Sequence, residues 1–489
     1  MAVSTGGAHD RYEVVVGLEV HAQLSTLSKA FSSDSAAFGA EPNHHISAVS
    51  LGHPGTLPRI NKRMVGYAVK LGLACGCEIN LQNNFARKNY FYADLPKGYQ
   101  ITQDLHPVCL GGSVTVKLAD GTTKNIAIHH IHMEEDAGKS MHDQHGDDSL
   151  IDLNRAGVPL LEIVTQPDMR SADEAGQLLT EMRKILRYLD ICDGNMEEGS
   201  MRCDANISVR LKGEKTYGNR CEVKNLNSIR NVQRAIEHEF ARQVAVIENG
   251  GHIEQNTLNF NADTGETSVL RSKEMANDYR YFPEPDLSPL VLDDAYIENI
   301  KSAMPPLPEQ LYKKYTVELG LTDYDAGVIT ADKELAFYFE ELIRHTGNYK
   351  SAANWLMGAV KSHLNETGKS ISEMGIPAGN LAGLIRLVDS GKINNTVAAQ
   401  KLFPAMLASP DKVAGALAGE LNLLISADNN DLDSFIQAAI AKYPDKVIEY
   451  RKGKKGVLGL FMGEIMKISK GRIDPKETNQ LLIKELESK

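Results

Sequence analysis

The chain has 489 residues, of which 53 are Lys or Arg and 64 are Asp or Glu, for a formal net charge of −11. That length accommodates roughly two to four domains with separate cores, and the acidic balance excludes a blanket polyanion binder, so any nucleic-acid contact must come from a local patch. The six cysteines (Cys75, Cys77, Cys109, Cys192, Cys203 and Cys221) follow no zinc spacing, and no stretch reaches the ~18 apolar residues of a membrane span.

Reduced structural thiols and a signal-free N-terminus lead us to expect a soluble, cytoplasmic protein without a membrane partner. The 14–24 segment (VVVGLEVHAQL) alternates: Val14, Val16, Leu18, Val20, Ala22 and Leu24 share one strand face, and Glu19, His21 and Gln23 the other. An acid and an imidazole two residues apart on a strand point the same way, which is either metal-ligand spacing or a hydrogen-bonded histidine. Residues 32–61 are loop-like, rich in Ser, Gly, Pro and Asn. At 87–92 the run RKNYFY combines cations with aromatics, as a stacking platform for nucleotides or an amphipathic strand edge.

A second alternating strand spans 126–136 (IAIHHIHMEED). Strict alternation places His130, His132 and Glu134 on the face of Ile126 and Ile128, with His129 and Glu135 opposite. Glu134, Glu135 and Asp136 together are costly unless cations or water neutralise them. The following Gly138-Lys139-Ser140 is no P-loop, since that motif requires Gly where Met133 stands. An apolar strand at 158–165 precedes Ser171-Ala172-Asp173-Glu174, a capping box that opens a helix to about residue 189.

A polar hairpin follows at 197–225. Met201, Cys203, Ala205, Ile207 and Val209 alternate with Arg202, Asp204, Asn206, Ser208 and Arg210, and the return strand offers Arg220, Glu222 and Lys224 on one face. Such a row faces solvent or holds something charged. An amphipathic helix is expected at 229–248. These elements lack regular βα alternation, which indicates an α+β domain with a mainly antiparallel sheet.

Beyond residue 294 the pattern becomes helical, with helices expected near 308–315, 333–346, 352–365 and 379–390. The expected domains are 1–294, 295–409 and 410–489. The last contains the basic run 451–472, with Arg451, Lys452, Lys454, Lys455, Lys467, Lys470 and Arg472 against the single acid Glu464. It is a phosphate-backbone patch or a solvated lysine face. Carboxylates without a Cys/His zinc pattern suit Mg²⁺, and adjacent Arg and Lys suit a transferring phosphoryl group. The residues alone thus indicate a Mg²⁺-dependent phosphoryl-transfer domain with a helical arm.

Long, mutually ordered motifs at 16–24, 133–139, 152–168, 197–209, 222–225 and 278–287 (DYRYFPEPDL) make the chain similar, over essentially its full length, to the B subunits of the tRNA-dependent glutamyl/aspartyl amidotransferases. The resemblance implies a cradle-shaped catalytic domain like that of glutamine synthetase, a helical domain and a tail that holds tRNA. It implies that ATP and Mg²⁺ activate the side-chain carboxylate of Glu-tRNA(Gln) or Asp-tRNA(Asn) as an acyl phosphate. Ammonia from a partner amidase A subunit then displaces phosphate, and a small C subunit completes a heterotrimer. By position, Glu19, His21, Glu134, Glu135, Asp204 and Glu222 resemble the catalytic cluster, all but Glu19 as Mg²⁺ ligands. Arg202, Lys224 and Arg280 are expected at the ATP phosphates, Lys88 and Tyr90 on the ammonia path, and Arg451, Lys452, Lys454, Lys455, Lys467 and Lys470 at tRNA. Many relatives carry four zinc-binding cysteines where this chain has Ser32, Asp34, Ser47 and Ser50, so no zinc is expected. Two other function classes stay open: a non-catalytic tRNA-binding scaffold, and a free-standing carboxylate–amine ligase.

Overall fold

The alternating 14–24 segment becomes strand β1 (Tyr12–Gln23), the middle of the main sheet. The computed structural model describes residues 9–145, 148–272, 279–425, 429–469, 473 and 475–488. Six further strands matter to the site: β2 (Thr123–Glu135), β3 (Pro159–Thr165), β4 (Met201–Leu211), β5 (Cys221–Leu226), β6 (Asn256–Phe260) and β7 (Thr267–Ser272). They lie in the order β7-β6-β5-β4-β1-β3-β2, and short strands continue the sheet beyond β2. All these pairs are antiparallel except β5 with β6. The class is α+β, with a mainly antiparallel sheet.

Helices α1 (Lys62–Ala74), α2 (Ala172–Tyr188) and α3 (Ile229–Glu248) cover one sheet face. Each starts where a side chain accepts from free first-turn N–H groups: Asn61, Ser171 and Ser228. Glu174 departs from a reciprocal capping box, accepting instead from the Arg170 N–H at 2.7 Å and from Lys124 at 2.7 Å. Val16, Leu18, Val20 and Ala22 of β1, Ile163 of β3, and Ala205 and Ile207 of β4 join Leu178, Leu179, Val232 and Ile236 in one core. Each fully buried aliphatic side chain in this layer contributes about 1.5–3 kcal/mol.

One strand breaks the expected alternation. His130 pairs with Val164, but the next partner of β3, Thr165, is Ile128, so β2 carries an extra residue. A bulge of one residue reverses parity. Ile126 and Ile128 before it, and Ile131 and Met133 after it, all reach the core. His130, His132 and Glu134 therefore lie opposite Ile126 and Ile128 rather than beside them, and Glu135 turns away from Glu134.

The chain divides into two compact units, Met1–Leu307 and Pro308–Lys489. Helix Asp294–Ser302 packs Tyr296, Ile297 and Ile300 against the core of the first unit. The described part of the second unit is helical, including Lys333–Ile343 and Ala378–Asp389 where helices are expected. Its final helices, Asn429–Lys442, Pro444–Arg451, Leu458–Ile468 and Pro475–Glu487, share a core around Ile436, Tyr450, Phe461 and Leu482. Among the described residues no helix is long and apolar enough to cross a membrane.

The 32–61 loop is ordered around one carboxylate. Ser47 donates to Asp34 Oδ2 at 2.9 Å and Ser50 donates to the same oxygen. The Ser32 and Ser50 hydroxyls lie 3.1 Å apart. The backbone N–H of Lys29 reaches the Asp34 carbonyl at 2.9 Å, closing the loop onto its own start. Partial burial works against the charged carboxylate, but the Ser50, Ser47 and Ser32 hydroxyls outweigh it and hold Asp34 below the ordinary value of 3.8. Asp34→Ala is expected to destabilise the first unit by about 1–2 kcal/mol, the value of hydrogen bonds to a charged acceptor discounted for partial exposure. Because the folded value is depressed, this contribution is complete above 3.8 and fades as pH falls through the lower folded value. Urea unfolding of wild type and variant should therefore differ equally at pH 6 and 8 and converge in strong acid.

Candidate active site

Helices cover one face of the sheet, and the opposite face carries the charge. The register places Glu19 opposite Asp204, His21 between Arg202 and Glu162, Glu162 opposite His132, and Asn206 opposite Glu222. Cross-strand neighbours on one face sit within side-chain reach, so five strands pool their polar residues.

Two groups result. In the first, His21 Nε2 lies 3.2 Å from Glu162 and 3.5 Å from Glu134, while His132 Nε2 lies 3.3 Å from Glu162 and 3.4 Å from Glu134. In the second, Glu19, Asp204 and Glu222 converge. There Lys224 Nζ sits 2.5 Å from Asp204 and 2.7 Å from Glu222. Asn206 donates to Glu19 at 2.8 Å and Thr257 to Glu222 at 3.0 Å. Within each of the sets His21/Glu134/Glu162 and Glu19/Asp204/Glu222, the donor atoms all lie within 4.8 Å of one another.

The electrostatics differ between the groups. Burial disfavours a charged Glu162, yet His21 and His132 outweigh it and push its carboxyl well below the usual range. Reciprocally, burial opposes the charged imidazoles, but Glu162 and Glu134 raise His21 and bring His132 up to about 10. Glu19 has no such cation: burial, then Glu162 and Glu222, push its carboxyl up. Burial opposes a charged Lys224, but Asp204 and Glu222 outweigh it and raise the ammonium. A hard cation beside Glu19 would relieve the repulsion there.

These groups border a cavity of about 650 Å³ whose wall includes His21, Lys88, Tyr90, Glu134, Arg202, Asp204 and Lys224. Arg202 is held by buried Asp136, its Nη2 2.8 Å from Oδ2. Asp136, ahead of burial, sets the direction of its shift, which raises it. Lys88 lies 4.9 Å from the Tyr279 ring centroid; burial works against its charge, but Glu134, Tyr281, Glu162 and Tyr279 together outweigh that and raise it. Burial, with Glu134 next, raises the Tyr90 phenol.

Other expected residues fall elsewhere. Glu135 was expected in the metal cluster; the bulge in β2 turns it to the opposite side, where it pairs with Lys97 and accepts from the Ile101 N–H at 2.9 Å. Arg280 is exposed, holds a left-handed φ of +41°, and does not line the cavity. In the tail, Arg451 donates to the Leu486 and Ser488 carbonyls at 3.0 and 2.5 Å, satisfying the end of the last helix. Lys454 pairs with Glu449 at 3.0 Å and Lys455 with Glu487 at 2.7 Å, while Lys452 and Lys467 are exposed. Lys470, Arg472 and Asp278 lie outside the described residues.

Sequence reasoning missed Glu162 and the anchoring role of Asp136. The available signal for Glu162 was a single acid in the otherwise apolar strand PLLEIVT, since a lone buried charge requires a partner. It also missed that His129, His130 and His132 touch in sequence, with ring nitrogens 2.7 and 3.0 Å apart. Burial, then His132 and His129, lower His130 to about 4.

Comparisons with known proteins agree with one another. Residues 14–298 match the family described as GatB/GatE catalytic domain, and residues 337–486 the family described as GatB domain. The chain is 48% identical over 97% of its length to the B subunit of an aspartyl/glutamyl-tRNA(Asn/Gln) amidotransferase from Chlorobium chlorochromatii, covering 99% of that protein. Proteins of the same name from Syntrophotalea carbinolica and Geobacter sulfurreducens are 47% and 48% identical, each over 97% of this chain and 99% of theirs. Matches of this extent, over both the sheet domain and the helical second half, show that the chain belongs to the GatB family of tRNA amidotransferase B subunits.

Proposed function

We propose that the chain performs ATP- and Mg²⁺-dependent activation of the side-chain carboxylate of Glu-tRNA(Gln) and/or Asp-tRNA(Asn), followed by transamidation with ammonia. The observation that carries this is the convergence of two carboxylate-rich groups on one sheet face beside a cavity walled by Lys88, Arg202 and Lys224. In this proposal the first part of the chain is a glutamine synthetase-like cradle, 295–409 a helical domain and 410–489 a tRNA-binding tail. An amidase A subunit and a small C subunit complete a cytoplasmic heterotrimer.

The donor sets suit Mg²⁺. They are oxygen-rich with a single imidazole, and Glu19 lacks a compensating cation. Glu19, Asp204 and Glu222 would hold one ion, and His21, Glu134 and Glu162 another. Bound there, Mg²⁺ would supply charge neutralisation for the phosphoryl oxygens of ATP. Arg202, aimed by Asp136, and Lys224 present further positive charge at the cavity wall. The substrate carboxylate oxygen attacks the γ-phosphorus and ADP departs. Phosphorylation thus turns a poor leaving group into a good one, and the ammonia lone pair then adds to the acyl carbon as phosphate departs. The surplus proton on nitrogen leaves with the departing phosphate, which balances the step. Lys88 and Tyr90 border the side from which ammonia arrives.

In the reconstituted heterotrimer, Glu222→Ala and Glu162→Gln are each expected to lower Gln-tRNA formation about 10²-fold or more, with assembly unchanged by gel filtration. Undiminished product would mark the chain as a scaffold. ATP turnover by the isolated chain with free glutamate and ammonia would mark it as a free-standing ligase.

For the tail, Lys452→Glu combined with Lys467→Glu is expected to weaken tRNA binding irrespective of sequence. It should also reduce the slope of log affinity against log salt by about two, one unit per phosphate contact. Fluorescence titration at several salt concentrations measures both.

A further inference from the structure

Beside the cavity, four tyrosines contact one another in a chain. Tyr92 meets Tyr90 with centroids 5.7 Å apart, Tyr90 meets Tyr279 at 6.0 Å, and Tyr279 meets Tyr281 at 6.1 Å. Interplanar angles of 67°, 74° and 70° make every contact edge-to-face, each ring's edge set against its neighbour's face. Tyr90 lines the cavity, whereas Tyr92 and Tyr281 are 57% and 42% exposed. The ladder thus runs from the wall of the carboxylate site out to solvent.

Rings that merely fill a loop need no rigid mounting, and these have one. Tyr90 and Tyr92 follow the strand Ala86–Asn89, and Tyr279 and Tyr281 precede the strand Phe282–Pro283 that pairs with it. Arg87 joins the two segments through a bidentate pair with buried Glu284, both bonds 2.8 Å. The Asn89 backbone N–H donates to the Tyr279 carbonyl at 2.9 Å, and the Asn89 side-chain amide donates to the Arg280 carbonyl at 2.8 Å. These bonds hold Arg280 in its left-handed conformation, φ +41°, which a non-glycine residue rarely adopts. The outer rings, Tyr92 and Tyr281, are fixed this firmly yet exposed, which marks a binding surface rather than packing.

Position selects the occupant. A substrate whose reacting carboxylate sits in the cavity carries, a few bonds away through its ester, the terminal ribose and base of an unpaired RNA 3′ end. That base must lie just outside the cavity, where the ladder is. Base–aromatic stacking accepts any base, and Lys88, 4.9 Å from the Tyr279 ring, and exposed Arg280 supply positive charge for the adjoining phosphate. Resting on the tRNA substrate proposed above, we infer that Tyr90, Tyr92, Tyr279 and Tyr281 form a stacking platform for the 3′-terminal bases of the acceptor strand.

The test uses the full chain and a deacylated tRNA with 2-aminopurine in place of the terminal adenine and fluorescein at the 5′ end. With wild type, tRNA binding should raise fluorescein anisotropy and quench 2-aminopurine. Tyr92→Ala combined with Tyr281→Ala should abolish the quench and weaken binding about tenfold, the worth of roughly one stacked base. The matching Phe variants should retain both signals, which separates lost stacking from lost folding. Anisotropy change in wild type without quench, or a full quench in the double Ala variant, overturns the platform and leaves the tRNA proposal standing. No anisotropy change with wild type overturns the tRNA proposal and the platform with it. Intact quench together with loss of co-elution with the amidase partner assigns the rings to a protein contact and overturns the platform.

Discussion

Charge neutralisation on the sheet face away from the helices is the constraint on which the rest of this structure depends. Glu162 and Glu134 are buried on adjacent strands, and an ionised carboxylate out of water is tolerated only when paired. His21 and His132 provide that pairing from β1 and β2, and Lys224 does the same for Asp204 and Glu222. Glu19, hydrogen-bonded to the Asn206 amide and forming no ion pair among the described residues, is where the balance falls short. A protein optimised only for stability would fill this face with aliphatic residues, as it does the opposite one.

The opposite face shows why the charges hold their positions. Strand parity is a two-residue period, so the same alternation that sends Val16, Leu18, Val20 and Ala22 under the helices sends Glu19 and His21 outward. The helix-side core therefore sets the geometry of the site. The bulge in β2 is the exception that the site requires. By adding one residue next to His130 it lets Ile128 and Ile131 both reach the core, and it delivers His132 and Glu134 to the face they share with His21 and Glu162. Bulges beside functional sites commonly re-aim side chains in this way.

The 32–61 loop is likewise organised around a charge, with the Asp34 carboxylate and the hydroxyls of Ser32, Ser47 and Ser50 linking its segments. In the tail, Arg451 and Lys455 both tie their own segment to the end of the last helix, Pro475–Glu487. Basic residues close in sequence are thereby divided between holding the fold and presenting charge.

Local pattern was sufficient for much of this. Alternation identified β1, β4 and β5 and their polar faces, the cap at Ser171 identified α2 and the amphipathic pattern of 229–248 identified α3, because such periods and caps are properties of a few consecutive residues. Motif order was enough to recognise the family. What local pattern could not supply is which faces meet. The bulge that sends Glu134 to the polar face and Glu135 to the opposite one arises from pairing with β3. Glu162 reads as one acid in an apolar strand until β1 and β2 bring two histidines to it, and Tyr90 and Tyr279 lie 189 positions apart in sequence (279 − 90) yet touch. Strand period and caps are short-range, so the sequence determined them; register, bulges and the pairing of buried charges depend on residues far away in the chain, so only the tertiary structure decided them.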